Sequence, residues 1–143
     1  GVYCSTNGDR YEGDFVDGKQ HGKGVYSFAN KNRYEGDFVD GKYHGKGVFS
    51  FVDGSSYKGD FIDGKFCGKG VFIFANRNYF EGCFVDGKMT IGLMYLADVD
   101  LMLAAKFSGG DEIVDGKRLY HLVLTDADGS VYKESGFSNG KFV

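Results

Sequence analysis

The chain has 143 residues, a net charge of −3 and a sequence pI of about 5.6. This length suits one domain, and the charge excludes a global basic field for nucleic acid or anionic lipid. Proline is absent, whereas the chain contains 24 glycines, 14 phenylalanines and 10 tyrosines. Because glycine is costly inside helices and aromatic residues favour strands, this composition predicts an all-β protein.

Cysteine usage and hydropathy indicate the compartment. Cys4, Cys67 and Cys83 are an odd number without Cys-x-x-Cys spacing, which favours free thiols in a reducing environment. No apolar stretch approaches the roughly 18–20 residues that span a bilayer, and no segment resembles a signal peptide. We therefore expect an intracellular protein.

A repeat of 23 residues dominates the chain from its first residues. Its first block, typified by Tyr-Glu-Gly-Asp-Phe-Val-Asp-Gly-Lys, lies at 11–19, 34–42, 57–65 and 80–88. Its second block, typified by His-Gly-Lys-Gly-Val-Tyr, lies at 21–26, 44–49 and 67–72. Residues 1–3 match the end of a second block, so we expect the array to start within a repeat and to have at least one more hairpin upstream.

Each unit is predicted to be one β-hairpin. Tyr11, Gly13 and Phe15 share a face of the first strand, since residues two apart point the same way. Asp17-Gly18 predicts the turn to the second strand because both residues tolerate positive φ. A ring on one strand can then lie over a glycine on its neighbour. The resulting single sheet has an aromatic face that curvature, another element or a partner must cover.

The pattern Tyr-x-Gly-x-Phe, Asp-Gly-Lys, His-Gly-Lys-Gly resembles the MORN (membrane occupation and recognition nexus) repeat over residues 1–96. The resemblance implies an all-β fold, a single elongated, twisted antiparallel β-meander of tandem hairpins. It also implies a module that binds other molecules. Residues 1–96 are predicted to be the regular repeats, and residues 97–143 a degenerate repeat with an irregular β-extension of the same domain.

The repeat register continues weakly beyond residue 96. Shifted by one repeat, Leu103, Ala105 and Phe107 fall on the Tyr, Gly and Phe positions of the first block. This register predicts a fifth first strand at 103–110. A short helix from Asp98 to Phe107 is the alternative, because Asp98 is a suitable helix cap.

Turn strings in the last third suggest a second resemblance. The resemblance rests on four short segments, at 86–90, 105–107, 115–117 and 129–132. These positions are similar to the region that joins MORN repeats to the catalytic domain in the SET-domain histone lysine methyltransferase that carries such repeats. The resemblance implies an accessory N-terminal domain of such an enzyme, in the nucleus, while no catalytic residue of the SET domain matches this chain.

Candidate catalytic and metal residues find little support. His21, His44 and Cys67 hold equivalent repeat positions, which lie two strands or roughly 9–10 Å apart. Zinc ligands lie within about 4 Å of one another, so we expect turn contacts or surface histidines instead. The Gly-Lys-Gly steps precede strands, whereas a phosphate loop precedes a helix. We predict no metal, no cofactor and no catalytic residue in this chain.

The aromatic face is the favoured binding surface for a protein or peptide partner. Six rings of the first strands are predicted to line a groove with glycine backbone: Tyr11, Phe15, Tyr34, Phe38, Tyr57 and Phe61. Tyr26, Phe28, Phe49 and Phe51 are expected between them. The alternative is that most of these rings are the core of a curved sheet. Exposed strand edges also predict a potential homodimer.

A basic edge near the hairpin turns is the second candidate surface. Its predicted members are Lys19, Lys23, Lys42, Lys46, Lys65 and Lys69. Such an edge attracts anionic lipid, which makes membrane-surface binding an alternative function. Asp17, Asp40, Asp63 and Asp86 at the same turns weaken that field. No direct contact with nucleic acid is expected.

Overall fold

The computed structural model describes residues 1–143 and contains thirteen β-strands and no helix. The strands are β1 (Val2–Cys4), β2 (Arg10–Val16), β3 (Lys19–Ser27), β4 (Arg33–Val39), β5 (Lys42–Ser50), β6 (Ser56–Ile62), β7 (Lys65–Ile73), β8 (Tyr79–Val85), β9 (Lys88–Leu96), β10 (Leu101–Val114), β11 (Lys117–Thr125), β12 (Val131–Ser138) and β13 (Lys141–Phe142). With no helix present, the chain has no helical segment that could cross a membrane.

All thirteen strands belong to one sheet, in which each strand pairs with its neighbours in sequence. Every pairing is antiparallel, which confirms the predicted all-β meander of tandem hairpins. The turn between β2 and β3 has φ of 51° at Asp17 and 77° at Gly18. Positive φ at both central residues matches the twist of the flanking strands, so the Asp-Gly turn predicted from the sequence is confirmed.

A row of glycines crosses the sheet along its length. Gly24 lies opposite Gly13 on one neighbouring strand and Gly36 on the other. The row continues through β5 to β8 and ends at Gly92 on β9. Beyond each glycine of a first strand the register shifts, for instance by two residues between Gly36 and Phe38. The sheet is thus thinnest along one continuous line.

The repeat register extends into β10. Ala105 lies opposite Gly92, and Leu103 lies opposite Met94, so the predicted fifth first strand is confirmed within a longer strand. The alternative helix from Asp98 to Phe107 is wrong. The backbone of β10 pairs with β9 on one side and with β11 on the other. These pairings provide hydrogen bonds for the backbone N–H and C=O groups, which a helix would instead bond internally.

The core lies on one face of the sheet and continues along its whole length. In the repeats it consists of buried rings, and from β9 onward aliphatic side chains and Met94 are added to further buried rings: Leu103, Leu122, Leu124, Phe107, Tyr120 and Phe137. Strands β11 to β13 bend back toward the second and third repeats. There Lys117 forms a 3.0 Å ion pair with Asp53. The C-terminal strands therefore supply part of the cover that the aromatic face requires.

Candidate functional site

The six rings predicted to bind a partner lie together on the aromatic face, at different depths. Five of them have at most 1% of their surface exposed: Tyr11, Tyr34, Phe38, Tyr57 and Phe61. Phe15, at the start of the array, is 38% exposed. The rings pack edge to face, with Tyr34 5.1 Å from both Phe38 and Phe61. The five buried rings form a continuous ladder beneath the surface.

Each tyrosine of the ladder is held by a glycine and a hydrogen bond. A Cβ on Gly47 would lie 2.5 Å from the Tyr34 ring, so the ring rests directly on the glycine backbone. The Tyr34 hydroxyl donates to the carbonyl of Asp37 at 2.7 Å, and Tyr11 and Tyr57 make the same bond in their repeats. The aromatic–glycine contact expected from the sequence is therefore present in each repeat.

In the fourth repeat a different side chain donates the hydrogen bond to the equivalent carbonyl. Phe80 replaces the tyrosine and has no hydroxyl, so the equivalent carbonyl, that of Cys83, would lose its partner. Thr90 occupies the histidine position of this repeat, and its hydroxyl donates to the Cys83 carbonyl at 2.8 Å. Thr90 therefore supplies the hydrogen bond that the tyrosine hydroxyl supplies in the other repeats.

A second layer of rings lies over the ladder. Tyr43 stacks on Tyr34 and Phe66 stacks on Tyr57, both with ring centroids 4.0 Å apart. The sequence reasoning missed these two rings because the first repeat has Gln20 at their position. Their spacing of 23 residues, each directly before a second block, was the available signal.

The outermost rings form a surface that we term the outer aromatic strip. Its members are Tyr26, Phe28, Phe49, Phe51 and Phe72, all partly exposed. Centroid distances of 5.8 Å join Phe28 to Phe49 and Phe51 to Phe72, and Phe49 lies 4.7 Å from Phe51. The strip therefore runs without a gap across three repeats.

The strip ends where the C-terminal strands cover the sheet. Phe74 holds the same repeat position as Phe28 and Phe51, yet it is only 5% exposed. The Phe137 ring packs on it at 5.5 Å. An apolar cavity of about 180 Å³ remains beside this contact, between Phe51, Phe72 and the turn before Lys117. The chain thus covers one end of its own aromatic face.

The opposite face is polar and carries a shallow groove along the glycine row. The groove has a volume of about 1000 Å³ and lies between charged and apolar side chains of β4 to β9. Lys23 pairs with Asp37, and Lys46 pairs with Asp60. The hydrogen bond from Lys23 is the main cause that lowers the pKa of the Asp37 carboxyl. Much of the charge on this face is therefore neutralised in pairs.

The six lysines of the predicted basic edge are all exposed but occupy two separate rows. Lys19, Lys42 and Lys65 begin the second strands, next to the hairpin turns. Lys23, Lys46 and Lys69 lie four residues further along, which is roughly 13 Å at strand spacing. The structure does not gather them at one edge. Their contact with anionic lipid stays a prediction.

The repeated histidines contact neighbouring turns. His21 Nδ1 accepts a hydrogen bond from the backbone N–H of Asp40 at 3.4 Å, and His44 Nδ1 accepts one from Asp63 at 3.5 Å. Each histidine therefore ties its own hairpin to the next. No group of three or more possible metal ligands converges in the chain. Cys4, Cys67 and Cys83 are free.

Alkaline pH is expected to destabilise the chain through its buried tyrosines. Burial is the largest cause that raises the pKa of Tyr34, Tyr43 and Tyr57 above the ordinary value, which is about 10. Because the folded state holds these hydroxyls protonated, their stabilisation is complete below about pH 10 and is lost as the pH rises further. Urea unfolding across this range should show a falling free energy of unfolding. Titration of all tyrosines near pH 10 without loss of fold would contradict the expectation.

Comparison with protein families identifies the repeat. The model of the MORN repeat matches residues 11–33, 34–56 and 57–79, each of which spans one hairpin and the link to the next. No curated protein matches the chain, and the resemblance of the C-terminal part to a methyltransferase linker region stays a prediction. The matched segments coincide with the aromatic–glycine units described above. Residues 11–79 are therefore three consecutive MORN repeats.

Proposed function

We propose that this chain is a non-catalytic scaffold that binds a protein or peptide partner through the outer aromatic strip. The observation that carries the proposal is the continuous line of partly exposed rings from Tyr26 to Phe72. Aromatic side chains at the centre of an interface supply much of its binding energy. A strip of five such rings is therefore a strong candidate for the contact surface.

The rigidity of the underlying sheet favours binding. The strip rests on the stacked rings of Tyr43 and Phe66 and on the buried ladder below them. Rings that are already fixed in place lose little conformational entropy when a partner binds. The buried ladder thus supports the surface, and direct contact with the partner belongs to the outer strip and to Phe15.

The chain itself provides an example of how this surface is covered. At Phe74, the next position in the series, Phe137 packs edge to face against the ring. A partner that presents an aromatic or aliphatic side chain would cover Phe28 and Phe51 in the same way. Area buried by such rings contributes roughly 25 cal/mol per Å² before the costs of association.

The proposal predicts that serine at Phe28 and Phe51 removes the partner and leaves the fold intact. Both rings are partly exposed, so the cost to stability should be far smaller than at the buried Phe38 and Phe61. Affinity capture of cellular proteins on the wild type and on the Phe28→Ser/Phe51→Ser variant, quantified by mass spectrometry, should show specific loss of the partner. Circular dichroism should confirm that both chains are folded.

A matched control changes the opposite face. The Val25→Ser/Val48→Ser variant replaces two partly exposed apolar side chains that lie on the polar face, and it should retain the partner. If the aromatic variant retains everything that the wild type captures, the proposal is wrong. If the valine variant alone loses the partner, the binding surface is the groove along the glycine row.

A further inference from the structure

Loop 74–78 binds a turn of the same chain. This loop joins β7 to β8, and the turn between β12 and β13 lies on it. The side-chain amides of Asn76 and Asn78 both donate to the carbonyl of Gly140, at 2.8 and 3.0 Å. The Phe137 ring packs against Phe74. The loop therefore recognises a backbone carbonyl and an aromatic ring together.

Loop 28–32 has nearly the same sequence two repeats earlier. It reads Phe-Ala-Asn-Lys-Asn, where loop 74–78 reads Phe-Ala-Asn-Arg-Asn. The residue before the last asparagine has positive φ in both, 79° at Lys31 and 75° at Arg77. The two loops thus have the same length, the same end residues and the same backbone turn.

The hydrogen bonds within the two loops also agree. The backbone N–H of Phe28 donates to the Asn32 carbonyl at 2.9 Å, as Phe74 does to Asn78 at 2.9 Å. Asn30 Oδ1 accepts from the N–H of Asn32 at 3.0 Å, as Asn76 does from Asn78 at 3.1 Å. The asparagine oxygens are occupied in each case, which leaves the amide nitrogens available to donate.

The last asparagine of each loop is fixed by the next repeat. Asn32 Oδ1 accepts from the N–H of Val52 at 2.8 Å, and Asn78 Oδ1 accepts from Ala97 at 2.9 Å. A side-chain amide whose oxygen is held in this way has its Nδ2 direction fixed as well. Loop 28–32 therefore has the donors of loop 74–78 already in place.

The two loops differ in what covers them. Phe74 is 5% exposed under Phe137 and Gly140, whereas Phe28 is partly exposed at the end of the outer aromatic strip. The Nδ2 atoms of Asn30 and Asn32 donate no hydrogen bond within the chain, while those of Asn76 and Asn78 share one carbonyl. The earlier loop has the binding groups and no bound turn.

The other three loops of the series lack this combination. Loop 97–100 reads Ala-Asp-Val-Asp and has neither a ring nor an asparagine. Loop 51–55 has Asp53 and Ser55 in place of the asparagines, and Asp53 is engaged by Lys117. Loop 5–9 begins with Ser5, so it has no ring. Loop 28–32 is therefore the one remaining copy of the turn-binding site in this array.

We propose that loop 28–32 binds a β-turn of a partner, which places one backbone carbonyl between the amides of Asn30 and Asn32 and one aromatic ring on Phe28. The inference rests on the proposed function, because Phe28 belongs to the outer aromatic strip. It specifies the partner further, as a hairpin turn of the kind Phe-x-Asn-Gly that residues 137–140 form.

The packing of the bound turn explains why its last residue, Gly140, is a glycine. A Cβ on Gly140 would lie 2.6 Å from the Cβ of Phe74, and Gly140 has φ of 82°. Any other residue would both clash and adopt a strained backbone at this point. A partner turn on loop 28–32 meets the same conditions, since Phe28 takes the place of Phe74.

The test uses a backbone-cyclised peptide that carries the sequence of residues 131–143, titrated into the whole chain by calorimetry. Cyclisation holds the hairpin in its bound form and lowers the entropy cost of binding. We expect one peptide per chain and at least about a tenfold loss of affinity in Asn30→Asp, because an amide donor becomes a carboxylate that repels the carbonyl. The peptide with serine at the Phe137 position should also bind more weakly.

Two features keep the Asn30→Asp variant interpretable. Asp53 already performs the same loop-capping role in the second repeat, where its Oδ1 accepts from the N–H of Ser55 at 2.9 Å, so the variant should fold. Asn7→Asp is the matched control: Asn7 caps its loop in the same way, and that loop has no ring. The control should bind the peptide with unchanged affinity.

Four outcomes would overturn the inference. The first is that the wild type does not bind the peptide, and the second is that Asn30→Asp binds it as well as the wild type does. The third is that Asn76→Asp weakens binding instead, which indicates exchange with the chain's own turn. The fourth is that the chain alone forms a dimer that Asn30→Asp dissociates, which makes the occupant a second copy. The proposed function fails separately. It fails if the Phe28→Ser/Phe51→Ser variant retains every captured partner, whatever the peptide does.

Discussion

Replacing Phe61 with alanine should lower the free energy of unfolding by about 4 kcal/mol. The ring is 1% exposed, and its centroid lies 5.1 Å from those of both Tyr34 and Tyr57. Phe66 contacts it from the layer above at 5.5 Å. Removal of the ring leaves a cavity that strands on either side cannot close, because each is held by its own hydrogen-bonded neighbours. Urea unfolding followed by circular dichroism measures the loss.

Phe15→Ala is the matched comparison for this prediction. Phe15 holds the same repeat position as Phe61, but it is 38% exposed and contacts the Tyr11 ring alone among rings, at 5.1 Å. Its substitution should cost about 1 kcal/mol. Equal losses at the two positions would show that the ladder does not gain stability from burial between consecutive repeats.

The second large effect is expected from adding one methyl group to the glycine row. A Cβ on Gly47 would lie 2.5 Å from the ring of Tyr34, which is fully buried and held by its hydrogen bond to Asp37. The ring has no space into which it can move. Gly47→Ala should therefore destabilise the chain by about 3 kcal/mol, an overpacking cost at the upper end of its usual range.

A double-mutant cycle identifies the cause of that loss. If the ring is responsible, Gly47→Ala should cost much less in a Tyr34→Ala background, with a coupling energy of about 2 kcal/mol. Lys46→Ala, at the adjacent position on the polar face, is the control. Its side chain is 75% exposed, so its loss should stay within about 0.5 kcal/mol. Additive losses for Gly47 and Tyr34 would refute the ring–glycine contact as the reason for the glycine.

The fourth repeat shows how a local exception is resolved by contacts between strands. The sequence shows that Phe80 replaces tyrosine and that Thr90 replaces histidine, as two unrelated changes ten residues apart. The hydrogen bond from Thr90 to the Cys83 carbonyl connects them. Neither periodicity nor propensity reveals such a link, because the atoms meet across a strand pair.

The sequence alone determined the secondary structure and topology of the repeats. Asp17-Gly18 and its copies specify two-residue turns through the left-handed backbone that these residues tolerate. The spacing of Tyr11, Gly13 and Phe15 assigns each side chain to a face, since alternation in a strand has a period of two. Hairpins that follow one another at a fixed interval can then form a single antiparallel meander, as the structure confirms.

The depth of each ring on the aromatic face was decided only by the tertiary structure. Alternation assigns a residue to a face but does not say what lies above it. The second layer of Tyr43 and Phe66 covers the ladder, and therefore Phe38 and Phe61 are core residues while Phe28 and Phe51 are at the surface. The predicted set of site residues lies on the aromatic face, mostly in its lower layer.

The C-terminal third also depended on tertiary contacts. From the sequence, Asp98 to Phe107 suited either a strand or a helix, because short segments carry both patterns. Pairing with β9 and burial of Leu103 and Phe107 against the ladder made it a strand. The return of Gly140 to loop 74–78 joins residues more than sixty positions apart. Local sequence does not encode such a contact, which arises from the curvature accumulated over the intervening strands.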